Sequence, residues 1–327
     1  MSRLRYNARM ISEFDMIRRY FTHAAPHAVL GVGDDAALIR PAPDKELAVS
    51  TDMLLAGTHF FPDADAYQLG HKALAVNLSD MAAMGATPRW VTLALALPAA
   101  DEAWLGAFSR GFMELAAAFE VDLIGGDTTR GPLAVCVQIM GEVLAGQALR
   151  RSGAQPGDEI WVSGTLGDAA LGLAALRGEI QLDEAELAAC LPALHRPVPR
   201  VALGQALLGL AHSAIDVSDG LCADLGHILE TSGVGAMIEF AVLPKSAVLQ
   251  RHLAEPAALR ALLAGGDDYE LCFTAPRDAR KTLLELSRKS GVTLTRIGRI
   301  EAGQGLRVLD FSGAPMQIAE GGFDHFH

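Results

Sequence analysis

Cysteine is scarce in this chain: four among 327 residues, Cys136, Cys190, Cys222 and Cys272, far apart and never in a CxxC pair. That spacing excludes a zinc ribbon and a disulfide framework. Three of the four sit in apolar stretches, as small buried hydrophobes do. No apolar run approaches the roughly 18–20 residues of a membrane span, so no membrane partner is expected. Met1 to Phe21 mixes Arg, Glu and Asp with apolar residues, and no signal peptide is expected there. A reducing cytoplasm is the expected location. Positive charge is also in deficit, with 27 Lys plus Arg against 39 Asp plus Glu and a net −12. A nucleic-acid partner is therefore not expected, because a phosphate backbone calls for a basic face.

The common phosphate-binding motifs are missing too. There is no Gly-x-x-x-x-Gly-Lys-Ser/Thr, no His-Arg-Asp and no Asp-Phe-Gly. Asp63-Ala-Asp65 lacks the glycine and terminal glutamate of an EF-hand loop. Gly31-Val-Gly-Asp-Asp-Ala36 fits the dinucleotide fingerprint by spacing. Two carboxylates would stand there where amides should meet a pyrophosphate, and no clear βαβ unit surrounds them.

What the chain has instead is aspartate set repeatedly among small residues. The stretches are Gly31–Asp35, Ser50–Asp52, Asn77–Asp80, Gly125–Gly131, Asp216–Gly220 and Gly265–Glu270. Each lies beside an apolar run and is expected to be a loop or element end on a rigid scaffold. Carboxylates are hard oxygen ligands suited to Mg²⁺. They cannot hold phosphate directly, since like charges about 4 Å apart cost roughly 4 kcal/mol at an effective dielectric near 20. A cation must lie between. Taken singly, a Gly-Asp or Ser-Asp is more often a turn or a helix cap.

The length allows two domains with real cores, and half the residues are hydrophobic. Leu47–Val49 reads as a strand leading into Ser-Thr-Asp. Ala66–Met84 reads as a helix carrying Asn77 and Asp80 on one face. Trp90–Leu97 alternates as a strand, Asp101 is an expected N-cap for a helix to Phe119, and Val121–Ile124 is a strand feeding the Gly-Gly-Asp loop. Leu133–Leu144 is a further strand, with Gly141 a candidate bulge. Charge and Pro-Gly turn chemistry in Arg150–Asp158 suggest a boundary near residue 148, giving domains 1–148 and 149–327. Beyond it come strands at Glu159–Val162, Ser213–Asp216, Ala236–Phe240, Tyr269–Thr274, Thr293–Ile300 and Leu306–Asp310. Helices are read before Leu210, at Leu221–Thr231 and at Arg277–Lys289. The expected class is α/β or α+β in both halves.

Read in order, the motifs resemble a known family. Gly-Val-Gly-Asp-Asp-Ala-Ala, Ser-Thr-Asp-Met-Leu with His59 downstream and Lys72-Ala-Leu-Ala-Val-Asn-Leu-Ser-Asp-Met come first. Gly-Gly-Asp-Thr-Thr-Arg-Gly, Arg151-Ser-Gly, Ile215-Asp-Val-Ser-Asp-Gly-Leu and Gly-Gly-Asp-Asp-Tyr-Glu-Leu follow. The set resembles the bacterial thiamine-monophosphate kinases, from about residue 11 to Gly321–Phe326. The resemblance implies ATP-dependent phosphorylation of thiamine monophosphate. It also implies the two-domain aminoimidazole ribonucleotide synthetase-like fold, with an N-terminal sheet forming a barrel between two subunits of a homodimer and a C-terminal α/β sandwich. By motif position, Asp35, Ser50, Thr51, Asp52, Asp80, Asp127, Asp216 and Asp219 fall on magnesium places. Gly126, Asp127, Arg151 and Ser218 fall on ATP places, and His59, Asp267 and Phe323 on substrate places. Asp267 stands where Glu is frequent in the family, and Phe323 where Trp or Tyr is common. K⁺ as an additional cation stays open.

The acceptor in that reaction is a phosphate monoester, already mostly dianionic near pH 7, and needs no general base. The expected mechanism is direct in-line transfer, with several Mg²⁺ ions held by the aspartates. The rivals are another ATP-using enzyme of the superfamily and a non-catalytic nucleotide or thiamine-phosphate sensor. A selenophosphate synthetase would want a cysteine near the N-terminus, where the first here is Cys136. A hydrogenase-maturation enzyme would want one at the C-terminus, where this chain ends in His327.

Overall fold

The computed structural model describes residues 12–316, so Phe323 lies outside the described residues. A short helix α1 (Glu13–Met16) continues into a wider turn at Ile17–Phe21. Strands β1 (Ala28–Leu30) and β2 (Leu38–Ile39) pair antiparallel. Then come β3 (Lys45–Leu55), α2 (Ala66–Ala83), β4 (Thr87–Leu97), α3 (Glu102–Ala118), β5 (Asp122–Arg130) and β6 (Ala134–Leu144). These last four strands form a sheet in the order β3-β6-β4-β5, with β4 and β5 parallel.

The second sheet is built from β7 (Glu159–Ser163), β8 (Ser213–Asp216), β9 (Gly235–Glu239), β10 (Leu271–Ala275), β11 (Leu294–Glu301) and β12 (Gly305–Leu309). Its order is β12-β9-β11-β7-β10-β8. The helices are α4 (Asp168–Leu176), α5 (Glu184–His195), α6 (Val201–Ala206), α7 (Leu221–Ser232), α8 (Ala247–His252), α9 (Pro256–Ala264) and α10 (Arg280–Ser290). Helix α7 packs on β8, β10 and β12, and α4 on α5 and α9. This is the mixed helix and strand class expected.

By contact density the chain divides into two compact units. Of the described residues, one contains 12–40, Val49–Asn77 and Pro88–Met140, and the other contains Pro41–Ala48, Leu78–Thr87 and 141–316.

Local chemistry explains most elements. Asp101 caps α3, its carboxylate accepting from the Ala103 and Trp104 N–H groups. Leu105, Phe108, Phe112 and Leu115 then fall on one buried stripe. Along β4, Leu93, Leu95 and Leu97 are buried in alternation. Strands β7, β8 and β10 are buried at every position, so no alternation marks them. β10 begins at Leu271 rather than Tyr269, because Tyr269 has a left-handed backbone that cannot continue a strand. Gly141 lies inside β6, and a Cβ there would come within 2.9 Å of the Thr87 carbonyl oxygen, so close approach calls for glycine at this position.

Candidate metal and phosphate site

In the first unit the candidate residues are open and mostly strand-borne. Asp35 is exposed in the turn between β1 and β2. Ser50, Thr51 and Asp52 were expected at a strand end, yet they lie mid-strand in β3. Small polar residues do not by themselves stop a strand whose ladder is paired. Side chains alternate across a strand, so Ser50 and Asp52 share one face and Thr51 points to the other. Gln138 Nε2 reaches Thr51 Oγ1 at 3.4 Å. The negative charge of Asp52 adds to burial in raising the Cys136 thiol.

Gly126 and Asp127 were likewise expected in a loop and instead form part of β5. Gly126 is required by close approach: a Cβ there would sit 1.9 Å from the Leu93 carbonyl oxygen. Asp127 is exposed beside it. His59 lies in the turn after β3 and its Nδ1 accepts from the Leu55 N–H at 3.0 Å. In the neutral ring that leaves the proton on Nε2.

The second unit is different. Asp216 ends β8 and is 5% exposed. Ser79, fully buried on α2, donates to its Oδ2 at 2.6 Å. Burial, and then the charge of Asp80, push the Asp216 carboxyl up to about 7, while Ser79 and the positive charge of Arg151 pull it back. The structure therefore brings Asp80, Asp216 and Arg151 into one electrostatic neighbourhood. Asp80 is half-buried one turn after Asn77 on α2. Asn77 is fully buried and donates to the Ala73 carbonyl at 3.1 Å. Its Oδ1 is buried with no hydrogen-bond donor among the described residues. A solvated polar helix end is thereby excluded.

The loop after β8 carries Ser218 and Asp219. The N-cap of α7 is Gly220, which has no side-chain cap, and the loop before it is braced by Asp224. Its Oδ2 accepts from the Ser218, Asp219 and Gly220 N–H groups, each at 3.0 Å. Asp224 is 2% exposed, and burial raises its carboxyl to about 7. Sequence reasoning missed Asp224, although an acid in the first turn after Asp-Gly is a legible signal. It also missed the buried network behind the last motif. Arg200 Nε donates to Glu270 Oε2 at 2.7 Å, and Ser163 donates to the same oxygen. Asp268 accepts from the Gly167 N–H at 2.8 Å, and burial holds its carboxyl well above the usual range.

No three His, Cys, Asp or Glu side chains among the described residues form a ready cluster for a metal ion. Mg²⁺ does not need one, since it commonly takes one or two carboxylates and completes its shell with water and phosphate oxygens. The repelling pair Asp80 and Asp216 is a donor set that fits a hard cation.

The fold and these carboxylates together define the class. Residues 33–143 match the N-terminal domain of AIR synthase related proteins and residues 155–310 the C-terminal domain. Among solved structures, thiamine-monophosphate kinase from Stenotrophomonas maltophilia K279a superposes with a TM-score of 0.82 at 51% identity, over 86% of this chain and 91% of that one. AaThiL complexed with AMPPCP and TMP gives 0.76 at 31% identity, over 90% and 92%. The thiamine-monophosphate kinase of Escherichia coli O157:H7 is 50% identical over 319 residues, 96% of this chain and 98% of that protein. The chain belongs to the thiamine-monophosphate kinase family.

Proposed function

We propose that the chain transfers the γ-phosphoryl group of ATP to thiamine monophosphate, releasing thiamine diphosphate and ADP. The observation that carries this reading is the buried Asp216, pinned by Ser79 and set against Asp80 with the Arg151 charge nearby. A buried carboxylate set against a second, half-buried one is a place prepared for a cation and its phosphate ligands. The kinship with a relative complexed with AMPPCP and TMP supports the same substrates. None of the proposed metal aspartates is missing, which favours an enzyme over a sensor.

In this reading Asp35, Asp52, Asp80, Asp127, Asp216 and Asp219 act as Mg²⁺ ligands, with Ser50 and Thr51 as further oxygen donors. Bound Mg²⁺ would supply charge neutralisation for two polyanions. Arg151 donates charge-assisted hydrogen bonds to nucleotide phosphate, and the backbone at Gly126 and Ser218 approaches the nucleotide. Asp224 keeps the Ser218–Gly220 amides fixed. His59, Asp267 and Phe323 bind the acceptor. No residue serves as general base, because the acceptor phosphate is already ionised. Catalysis is positioning and electrostatic stabilisation, with direct transfer between substrates.

Residues 1–148 are read as the nucleotide, metal and dimerisation domain and 149–327 as the domain that completes the site. A homodimer is supported by β3, an edge strand whose odd-numbered face exposes Leu47, Val49, Met53 and Leu55. Such an apolar stripe on an edge strand calls for cover. Met53→Asp should shift the protein to monomer in size-exclusion chromatography with light scattering. No helix among the described residues is long and apolar enough to cross a membrane, in keeping with a cytoplasmic enzyme. The test of function is incubation with MgATP and thiamine monophosphate followed by product identification. Absence of thiamine diphosphate would refute the reaction, and a phosphoenzyme trapped during turnover would rule out direct transfer.

A further inference from the structure

Residues 265–270 contain two non-glycine residues in the left-handed region, Asp267 at φ 70° and Tyr269 at φ 50°. For a bulky aromatic residue that conformation is a true outlier. It persists only where the surroundings over-determine it, and such places concentrate at ligand sites. Here the restraints are visible. The Asp267 N–H donates to the Ser218 carbonyl at 2.9 Å and the Tyr269 N–H to the Val217 carbonyl at 2.8 Å. The Val217 N–H returns a bond to the Glu270 carbonyl at 2.8 Å. A Cβ on Gly266 would lie 2.3 Å from the Ser218 carbonyl oxygen, so the segment is laced directly onto the Asp216–Gly220 loop. Glu270 is anchored by Arg200 and Ser163, and Asp268 by the Gly167 N–H.

Within this frame the two left-handed residues meet. The Tyr269 hydroxyl donates to Asp267 Oδ1 at 2.9 Å. Tyr269 is 9% exposed, whereas Asp267 keeps part of its surface open. A buried phenol thus holds an accessible carboxylate in one orientation. Thiamine monophosphate carries a fixed thiazolium cation, which an oriented carboxylate complements.

We propose that Tyr269 is a positioning residue for substrate recognition: its hydroxyl fixes the Asp267 carboxylate in the strained segment so that it faces the cationic ring of thiamine monophosphate. The inference rests on the proposed reaction and on the role of Asp267 within it. A ring that merely fills space would do so equally well as phenylalanine, which gives the discriminating variant.

The experiment is steady-state kinetics of the full chain with each substrate varied, for wild type, Tyr269→Phe, Asp267→Asn and the double variant. Tyr269→Phe should raise KM for thiamine monophosphate about tenfold, as expected for losing one hydrogen bond to a charged group, and KM for ATP by less than about twofold. In the Asp267→Asn background the same change should add less than about twofold, because the two groups act as one. Tyr269→Phe with an unchanged KM for thiamine monophosphate overturns the inference. So does an equal effect on both substrates, or effects that multiply in the double variant. If Tyr269→Phe fails to fold, Asp267→Asn with wild-type KM for thiamine monophosphate still overturns it. Wild type that makes no thiamine diphosphate refutes the reaction itself. Wild-type turnover with a neutral Tyr269→Phe refutes this inference alone.

Discussion

The two units hold their candidate aspartates in different ways. In the first, Asp35 and Asp127 are exposed, and Ser50 and Asp52 lie along an ordinary strand. In the second, Asp216 is buried against Asp80, and a second buried acid, Asp224, braces the loop that follows. Exposed carboxylates cost the fold almost nothing and are oriented only when a ligand arrives. Buried ones must be paid for in stability and are already oriented. Orientation of charge before the ligand binds is what electrostatic catalysis requires, so the buried set should dominate turnover and the open set should tune affinity.

The strongest way to break this contrast is Asp216→Asn. It should lower turnover by on the order of a thousandfold while leaving the metal-free melting temperature unchanged or higher, since it removes a buried charge that repels Asp80. Asp35→Asn should cost on the order of tenfold, chiefly in Mg²⁺ affinity. Equal losses in a product assay would erase the distinction.

Stability should divide the same way. Arg200→Leu strands the buried Glu270 carboxylate and should cost about 3–5 kcal/mol, read as a melting-temperature drop on the order of 10 °C. Arg19→Ala, which breaks an exposed pair with Glu102, should cost under about 1 kcal/mol. A comparable drop for both in calorimetry would contradict the assignment.

The smallest effect concerns the cluster joining α5 to α8. His252 bonds to Glu255 and Glu186, and these hydrogen bonds hold its pKa above the ordinary value. A raised folded pKa gives stability that is present in full below the unfolded value and lost as pH rises through the folded one. His252→Ala should therefore lower the melting temperature by about 1–2 °C near pH 6 and by less near pH 9. A larger loss at the alkaline end would contradict this sign.

Much of this was legible in sequence. The N-cap at Asp101, the stripe of α3 and the alternation of β4 are local signals, and all three elements form where local chemistry puts them. The ordered aspartate motifs were sufficient for the family. Less legible was anything set by tertiary pairing. Ser50–Asp52 and Gly126–Asp127 read as loops because small polar residues favour turns, but neighbouring strands keep them extended. Helices α8 and α9 went unread. The Arg200–Glu270 and Ser79–Asp216 partners lie 70 and 137 residues apart, beyond the reach of any local pattern.

The most direct test of the central claim is a Mg²⁺ titration of thiamine diphosphate formation by wild type, Asp80→Asn and Asp127→Asn. If these aspartates hold the cations that carry the phosphates, both variants will need at least about tenfold more Mg²⁺, and Asp80→Asn will stay far below wild type even at saturation. Near-wild-type turnover by both variants at saturating Mg²⁺ would contradict the account.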